Sequence, residues 1–210
     1  MNARRNRPSA VAALLLAVVL VGCASAGPPG YYTVAPVQPA AVAPAATAAP
    51  LLIALGPVTL ADYLDRRPIV TRDTAYALRL ADNSYWAAPL QDIIPRVLVA
   101  DLAMRLPADR IESFPQMVGT GGDYRVAVDI AQFDFDASGL ATLATRWQIY
   151  QRNASQPILI GQETLQRQAE TNGYAGGVAA LSLTLGDLAD RLADAIAKLR
   201  REMPRPIGQS

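Results

Sequence analysis

The sequence contains no histidine and a single cysteine, Cys23. Without imidazole, and with at most one thiolate, it lacks the ligands of most zinc and other transition-metal sites. A lone cysteine also excludes a disulfide bond within the chain. The absence of histidine removes the commonest general base, and no serine lies in a G-x-S-x-G setting. We therefore expect no catalytic site, no cofactor and no metal.

The sequence also lacks an excess of either positive or negative charge. Lysine and arginine number 19 and aspartate and glutamate 18, for a formal net charge of +1. Nucleic-acid binding would call for a strongly basic surface, so we expect no nucleic-acid partner. The apolar run at residues 10–21 has twelve residues, whereas a transmembrane helix needs roughly 20. This run is too short to span a bilayer.

The first 23 residues have the layout of a secretory signal peptide. Three arginines at positions 4, 5 and 7 precede the apolar run, and Gly22 and Cys23 close it. The letters LVGC at 20–23 resemble a bacterial lipobox, which implies cleavage before Cys23, a lipid on its sulfur and acylation of the new amino terminus. Residues 1–22 are therefore predicted to be a lipoprotein signal peptide. The alternative, a buried thiol in a core helix, is disfavoured by the order of these features.

The segment that follows the anchor, residues 23–50, is predicted to be a tether. From residue 35 onward it is almost entirely alanine, proline and valine, without charge or hydrophobic periodicity. Proline-rich chains favour extended polyproline II at about 3.1 Å per residue, so this stretch could hold a domain ~50 Å from a membrane. A linker without a fixed length is the alternative. Residues 31–34 (YYTV) have strand-like composition and could pair with the domain.

Residues 51–203 are predicted to form one α+β domain, a largely antiparallel sheet with helices packed against it, followed by a tail at 204–210. The predicted order is β-β-β-α-β-β-β-α. Strands are expected at 51–55, 69–71, 76–80, 124–135, 143–149 and 158–167, and helices from Pro89 and from Tyr174. Gly56 and Pro57 are expected to end the first strand, and Asp82 and Asn83 to form a turn. The apolar stripe at 178–199 favours a helix laid across the sheet over a coiled coil.

The strand around residue 130 changes phase. Tyr124, Val126, Val128 and Ile130 alternate with polar residues, and then Phe133 and Phe135 appear on the opposite parity. Because side chains alternate with a period of two, the slip predicts a β-bulge near positions 131 and 132. Of the neighbouring acids Asp129, Asp134 and Asp136, the last two share a face. They could bind Ca²⁺, but a solvated strand face is the favoured interpretation.

One segment carries a family resemblance. Residues 56–72, GPVTLADYLDRRPIVTR, resemble a stretch of PqiC-type lipoproteins, also called ABC-type transport auxiliary lipoproteins. Weaker matches occur in the right order along the chain, at YYTV (31–34) before this segment and at WAAPL (86–90), Phe114-Pro115, 123–130 with Phe133, Trp147 and Tyr174 after it. The resemblance implies an outer-membrane lipoprotein on the periplasmic face. Its partners would be an MCE-domain protein, which forms a hydrophobic conduit between the membranes, and inner-membrane transporter components. Homo-oligomerisation is left open. Ala24 fits this location, because aspartate after the lipidated cysteine tends to retain enterobacterial lipoproteins at the inner membrane.

The DYLDRR stretch at 62–67 is the candidate partner-binding site. Asp62, Tyr63, Asp65, Arg66 and Arg67 lie in a connection between strands, where binding residues are common, and tyrosine and arginine are frequent interface hot spots. In the alternative interpretation, Tyr63 and its neighbour Leu64 tuck under the sheet and the charges cap a turn. Both interpretations stay open here.

Other function classes fit the same layout. A structural or regulatory envelope lipoprotein, such as an activator of a cell-wall enzyme or an assembly factor, also needs a tether and a small α+β domain. Direct catalysis is the weakest hypothesis, because the sequence offers no catalytic constellation. The glycine-rich segment at residues 119–122 has no following lysine or helix and is predicted to be a plain loop rather than a phosphate-binding one.

Overall fold

The computed structural model describes residues 28–39, 49–114 and 122–202. In these ranges the chain forms eight strands and two α-helices. They are β1 (Gly30–Tyr32), β2 (Leu52–Leu60), β3 (Pro68–Thr74), β4 (Ala77–Trp86), α1 (Leu90–Arg105), β5 (Arg110–Ser113), β6 (Tyr124–Asp136), β7 (Leu140–Gln151), β8 (Leu159–Gln168) and α2 (Gly173–Glu202). A short 3₁₀ turn, Asp62–Leu64, separates β2 from β3.

The long strand β6 organises the sheet. On one side β7 and then β8 follow in antiparallel pairing. On the other side β2 and β3 lie end to end, both parallel to β6. β5 pairs with β2 in parallel, β4 pairs with β3 in antiparallel, and β1 pairs with β4 in parallel. The sheet is thus mixed, with its longest pairs antiparallel, and the predicted α+β class is confirmed.

Both helices cover one face of this sheet. The predicted stripe of α2 is buried there, with Leu181, Leu185, Leu188 and Leu192 fully inaccessible to solvent. They pack with the inward side chains of β6 and β7 in a single hydrophobic core. Burial of an apolar face at helical spacing is what stabilises a helix that contains several glycines. The prediction that α2 lies across the sheet is confirmed.

Helix α1 is continuous through a proline. Pro89 immediately precedes the helix, Pro95 lies inside it, and it ends at Arg105, two residues before Pro107. Its predicted apolar side chains are buried, among them Ile94, Leu98 and Leu102. The tertiary contacts of this face therefore hold the helix together across the backbone hydrogen bond that Pro95 cannot donate.

Several local predictions were wrong. Strand β2 continues through Gly56 and Pro57, because a register shift between Leu55 and Val58 absorbs the interruption. Strand β4 runs through Asp82 and Asn83, where a turn was expected, because it pairs on one side with β3 and on the other with β1. Strand β5 was not predicted, since its four residues carry no alternating pattern of their own.

The predicted bulge in β6 is confirmed as a register shift between Ile130 and Gln132.

The start of the predicted tether packs against the domain. Residues 30–32 form β1, as their strand-like composition suggested, and Val34 is 3% exposed within the core. The Val37 amide donates to Asp101 Oδ1 at 2.8 Å, and Arg105 Nη1 donates to the Val37 carbonyl at 3.1 Å. The expected boundary at Leu51 is therefore corrected: residues 30–37 are part of the folded unit, because β4 and α1 offer them pairing and hydrogen bonds. Since Cys23 precedes this packed segment, residues 35–50 do not separate the predicted anchor from the domain, and the spacing of ~50 Å expected from them is wrong.

Several predicted features lie outside the described residues. They are the signal peptide, Cys23, the tether at 40–48, the loop at 119–121 and the tail at 204–210. Within the ranges that are described, neither α1 nor α2 is long and apolar enough to cross a membrane.

Candidate functional site

The DYLDRR segment bridges two strands that share one neighbour. Strand β2 pairs with β6 as far as Ile130, and β3 pairs with β6 from Phe135 onward. The 3₁₀ turn fills the interval between them, and the Ala61 amide donates to the Ile130 carbonyl at 2.9 Å. The turn therefore docks on the bulge of β6, where the strand changes phase. A bulge re-aims the side chains that follow it, and here it sends Asp134 and Gln132 toward the sheet face opposite the helices.

The Asp134 carboxyl accepts hydrogen bonds from three side chains beneath the turn. It is 1% exposed. Tyr63 donates its hydroxyl to Oδ2 at 3.0 Å. Arg72 donates through Nε to Oδ1 at 3.1 Å and through Nη2 to Oδ2 at 2.7 Å, and Gln132 Nε2 donates to Oδ1 at 2.8 Å. A buried carboxylate requires partners of this kind, since an unpaired buried charge is very costly. The expectation that Asp134 lies on a solvated face was wrong, because the turn covers it.

Titration within this cluster follows from the same contacts. Burial, followed by the negative charge of Asp134 and the hydrogen bond to it, raises the pKa of Tyr63 to about 12. The hydrogen bond to Asp134 also raises the pKa of Arg72. At physiological pH, Tyr63 is therefore a protonated donor and Arg72 a cation, and both donate hydrogen bonds to the Asp134 side chain.

The segment divides into a structural part and an exposed part. Leu64 is buried and Tyr63 is tied to Asp134, as the turn-capping interpretation expected. Asp62, Asp65, Arg66 and Arg67 are exposed. Among the residues the structure describes, none of these four side chains takes part in an ion pair or a hydrogen bond, although the Arg67 carbonyl accepts from the Trp86 amide at 2.8 Å. Four solvent-facing charges on an anchored backbone form a surface available to a partner.

The remaining acids of β6 have ordinary local roles. Asp129 accepts from the hydroxyl of Thr59 at 2.5 Å on the neighbouring strand β2. Asp136 accepts from the hydroxyl and amide of Ser138 and from the amide of Leu140, so these hydrogen bonds hold the pKa of its carboxyl below the usual range despite partial desolvation. Asp134 and Asp136 share a face, as predicted, but each serves a different purpose. In the described part of the chain, no three acidic or other metal-ligating side chains come together.

A second buried charge cluster holds the amino-terminal segment. Asp101 is inaccessible to solvent, and Arg105 beside it is 5% exposed. Arg105 Nε pairs with Asp190 of α2 at 2.6 Å, so one guanidinium links α1, α2 and the Val37 carbonyl. Burial raises the pKa of Asp101, against the lowering effects of the Val37 amide and of Arg105. Asp101 and Arg105 lie one helical turn apart, but Val37 and Asp190 are 64 and 85 residues away from them, so no local sequence pattern pointed to the cluster.

Comparison with known proteins identifies the family. The protein-family model described as ABC-type transport auxiliary lipoprotein component matches residues 32–193 of this chain. The intermembrane transport lipoprotein PqiC of Escherichia coli (strain K12) is 27% identical over 133 residues, which cover 63% of this chain and 70% of that protein. PqiC of Shigella flexneri gives the same figures.

Solved structures with the same fold include protein XCC0632 from Xanthomonas campestris, with a TM-score of 0.67 and 18% identity over 83% of this chain and 99% of that one. An uncharacterized protein gives a TM-score of 0.66 at 20% identity, over 80% of this chain and 99% of its own. The family match spans most of the described residues, from β1 to α2, and includes the turn on β6. The chain therefore belongs to the ABC-type transport auxiliary lipoprotein family.

Proposed function

We propose that this protein is the lipid-anchored auxiliary subunit of an intermembrane lipid transport system. It is held on the periplasmic face of the outer membrane through Cys23. There it docks a periplasm-spanning conduit built from an MCE-domain protein. Inner-membrane transporter components are the other partners of this system. The family match over residues 32–193 is the observation that carries this proposal. The signal peptide layout that ends at Cys23 supports the anchored location.

The docking surface is proposed to be the exposed charges of the DYLDRR segment, Asp62, Asp65, Arg66 and Arg67. Two features support it. The backbone is held by Ala61 and Arg67, so the charged side chains project from a fixed base. Arginine is favoured at interface hot spots, since its planar group donates several hydrogen bonds at once. Tyr63 and Leu64 supply that fixed base rather than the contact.

Reversing two charges tests this surface. Arg66→Glu combined with Arg67→Glu should abolish co-purification of the MCE-domain protein with the lipidated chain. The free energy of unfolding should change by roughly 0.5 kcal/mol or less, because both side chains are exposed and neither takes part in an ion pair or a hydrogen bond with another described residue. The measurements are the yield of the MCE-domain protein in a detergent pull-down and a thermal melt of each purified variant.

A matched control carries the same charge change elsewhere. Arg96→Glu with Arg201→Glu reverses two exposed arginines on α1 and α2, and we expect wild-type co-purification from it. Undiminished capture by the Arg66/Arg67 variant with a native melt would refute the docking surface. A large drop in its melting temperature would show instead that these arginines only stabilise the turn.

The regulatory alternative, an activator of a cell-wall enzyme or an assembly factor, predicts a different captured protein in the same pull-down. No feature of the described residues favours it over the transport role.

A further inference from the structure

The hairpin between β3 and β4 exposes apolar side chains at its tip. Tyr76 is 100% exposed, Leu78 43% and Leu80 48%; these three residues are called the hairpin tip below. Leu78 and Leu80 are two residues apart on one strand and therefore share a face. A cluster of large apolar side chains that a domain leaves in water at one end is typical of a surface that contacts a protein or a membrane.

Charges near the hairpin tip are already paired within the domain. Arg72, directly opposite Leu78 in the register, is bound to Asp134. Arg79 Nη2 lies 3.1 Å from Asp73 Oδ2 across the hairpin. The tip can therefore enter a medium of lower dielectric constant without carrying an unpaired arginine with it. It presents an aromatic and aliphatic surface rather than a basic one.

The chain that leads to the predicted lipid anchor leaves the domain toward this tip. Strand β1 runs parallel to β4, with Gly30 opposite Ser84 and Tyr32 opposite Trp86. Ala77, at the tip end of β4, lies seven residues before Ser84, which corresponds to about 23 Å of strand. Cys23 lies seven residues before Gly30 and can be at most about 25 Å from it. The lipid-bearing residue can thus reach the level of the hairpin tip and cannot lie far beyond it.

We propose that the hairpin tip inserts into the interfacial layer of the membrane that holds the lipid anchor. Tyrosine is favoured at this depth, where its ring meets acyl chains and its hydroxyl meets headgroups and water. A second contact of this kind fixes the orientation of a domain that lipid alone leaves free to rotate. The inference rests on the lipid anchoring at Cys23 in the proposed function and goes beyond it.

This orientation has a consequence for the DYLDRR segment. The Arg67 carbonyl binds the Trp86 amide, at the end of β4 opposite the tip. Strand β4 has ten residues, so the two ends lie roughly 30 Å apart. With the tip in the membrane, Arg66 and Arg67 face away from it, toward a conduit that arrives across the periplasm.

A site-directed fluorophore tests the insertion in the full lipidated protein. Tyr76→Cys introduces a reactive thiol, since the lipid on Cys23 leaves its own sulfur blocked. The thiol is labelled with a nitrobenzoxadiazole probe, and the protein is reconstituted in vesicles of phosphatidylethanolamine and phosphatidylglycerol that contain nitroxide-labelled lipids. The control is Ile160→Cys, on β8 at another edge of the sheet, where an apolar side chain is 49% exposed.

We expect the probe at position 76 to shift its emission to the blue and to be quenched by nitroxides, more strongly by shallow than by deep ones. The probe at position 160 should show neither effect. Quenching at 76 no greater than at 160 would overturn the inference. A blue shift at 76 without quenching by lipid would also overturn it, because it would place the tip against a second copy or a protein partner.

The mass of the amino-terminal peptide separates this inference from the proposed function. An unmodified Cys23 would refute the lipid anchor and the inference with it. A lipidated Cys23 with an unquenched probe at position 76 would refute the inference alone.

Discussion

Replacing Asp134 with alanine should lower the free energy of unfolding by about 3 kcal/mol. The carboxylate is buried and accepts from Tyr63, Arg72 and Gln132. Its removal leaves a guanidinium and a phenol without their acceptor beneath the 3₁₀ turn. The value lies at the lower end of the range for broken buried pairs, because the Arg72 side chain is 27% exposed and can recover some hydration. Urea unfolding measures the change, and the melting temperature should fall by roughly 6 to 12 °C.

An exposed ion pair provides the matched control. Asp73→Ala removes the partner of Arg79, in a pair whose side chains are 68% and 47% exposed. Such pairs contribute about 1 kcal/mol or less. Tyr63→Phe, which removes one hydroxyl from the cluster, should cost about 1 kcal/mol. Equal losses from Asp134→Ala and Asp73→Ala would contradict the view that Asp134 holds the turn on the sheet.

Replacing Cys23 with alanine should abolish lipidation and leave the signal peptide uncleaved. The sulfur is the predicted site of the first lipid attachment, and alanine offers no nucleophile in its place. The acyl chains expected of this class contribute about 0.8 kcal/mol for each buried methylene, so their loss removes the main membrane affinity of the mature protein. Labelled palmitate measures the modification directly, and gel mobility reports the retained 22-residue leader.

Ser25→Ala is the control for this prediction, because it changes a nearby polar residue and keeps the cysteine. It should incorporate palmitate as the wild type does. Normal incorporation by the Cys23→Ala variant would refute the anchor.

Alternation in the sequence was sufficient to predict the central strands. The phase change between Ile130 and Phe133 located the bulge of β6, and the face formed by Leu143, Trp147 and Ile149 located the inner side of β7. These predictions succeed because burial of one sheet face fixes side-chain parity, and parity is visible in a short stretch of sequence.

Burial of a side chain by residues that are distant in the sequence could not be predicted in the same way. Parity placed Asp134 correctly on the face away from the helices, yet that face is covered locally by Tyr63, 71 residues earlier in the chain. Asp82 and Asn83 likewise stay within β4 because the residues on either side of them pair with β3 and β1, and these contacts override the turn preference of the two residues. A local pattern gives the direction of a side chain but not what lies above it.

The amino-terminal segment illustrates the same limit. Composition indicated an extended chain from residue 35 onward, and no regular element is present at 35–39. Its attachment to the domain depends on Asp101 and Arg105 of α1, which lie 64 and 68 residues after Val37 in the sequence. For the candidate site, sequence identified the DYLDRR segment, and the structure was needed to separate Tyr63 and Leu64, which are held by the sheet, from the four exposed charges.

Purification of the lipidated chain from detergent-solubilised membranes of its native cell, followed by mass spectrometry of the bound proteins, tests the central claim most directly. The transport role predicts that an MCE-domain protein co-purifies with the wild-type chain and is lost with the Arg66→Glu, Arg67→Glu variant. Recovery of a cell-wall enzyme or an envelope assembly factor, with no MCE-domain protein, would contradict it.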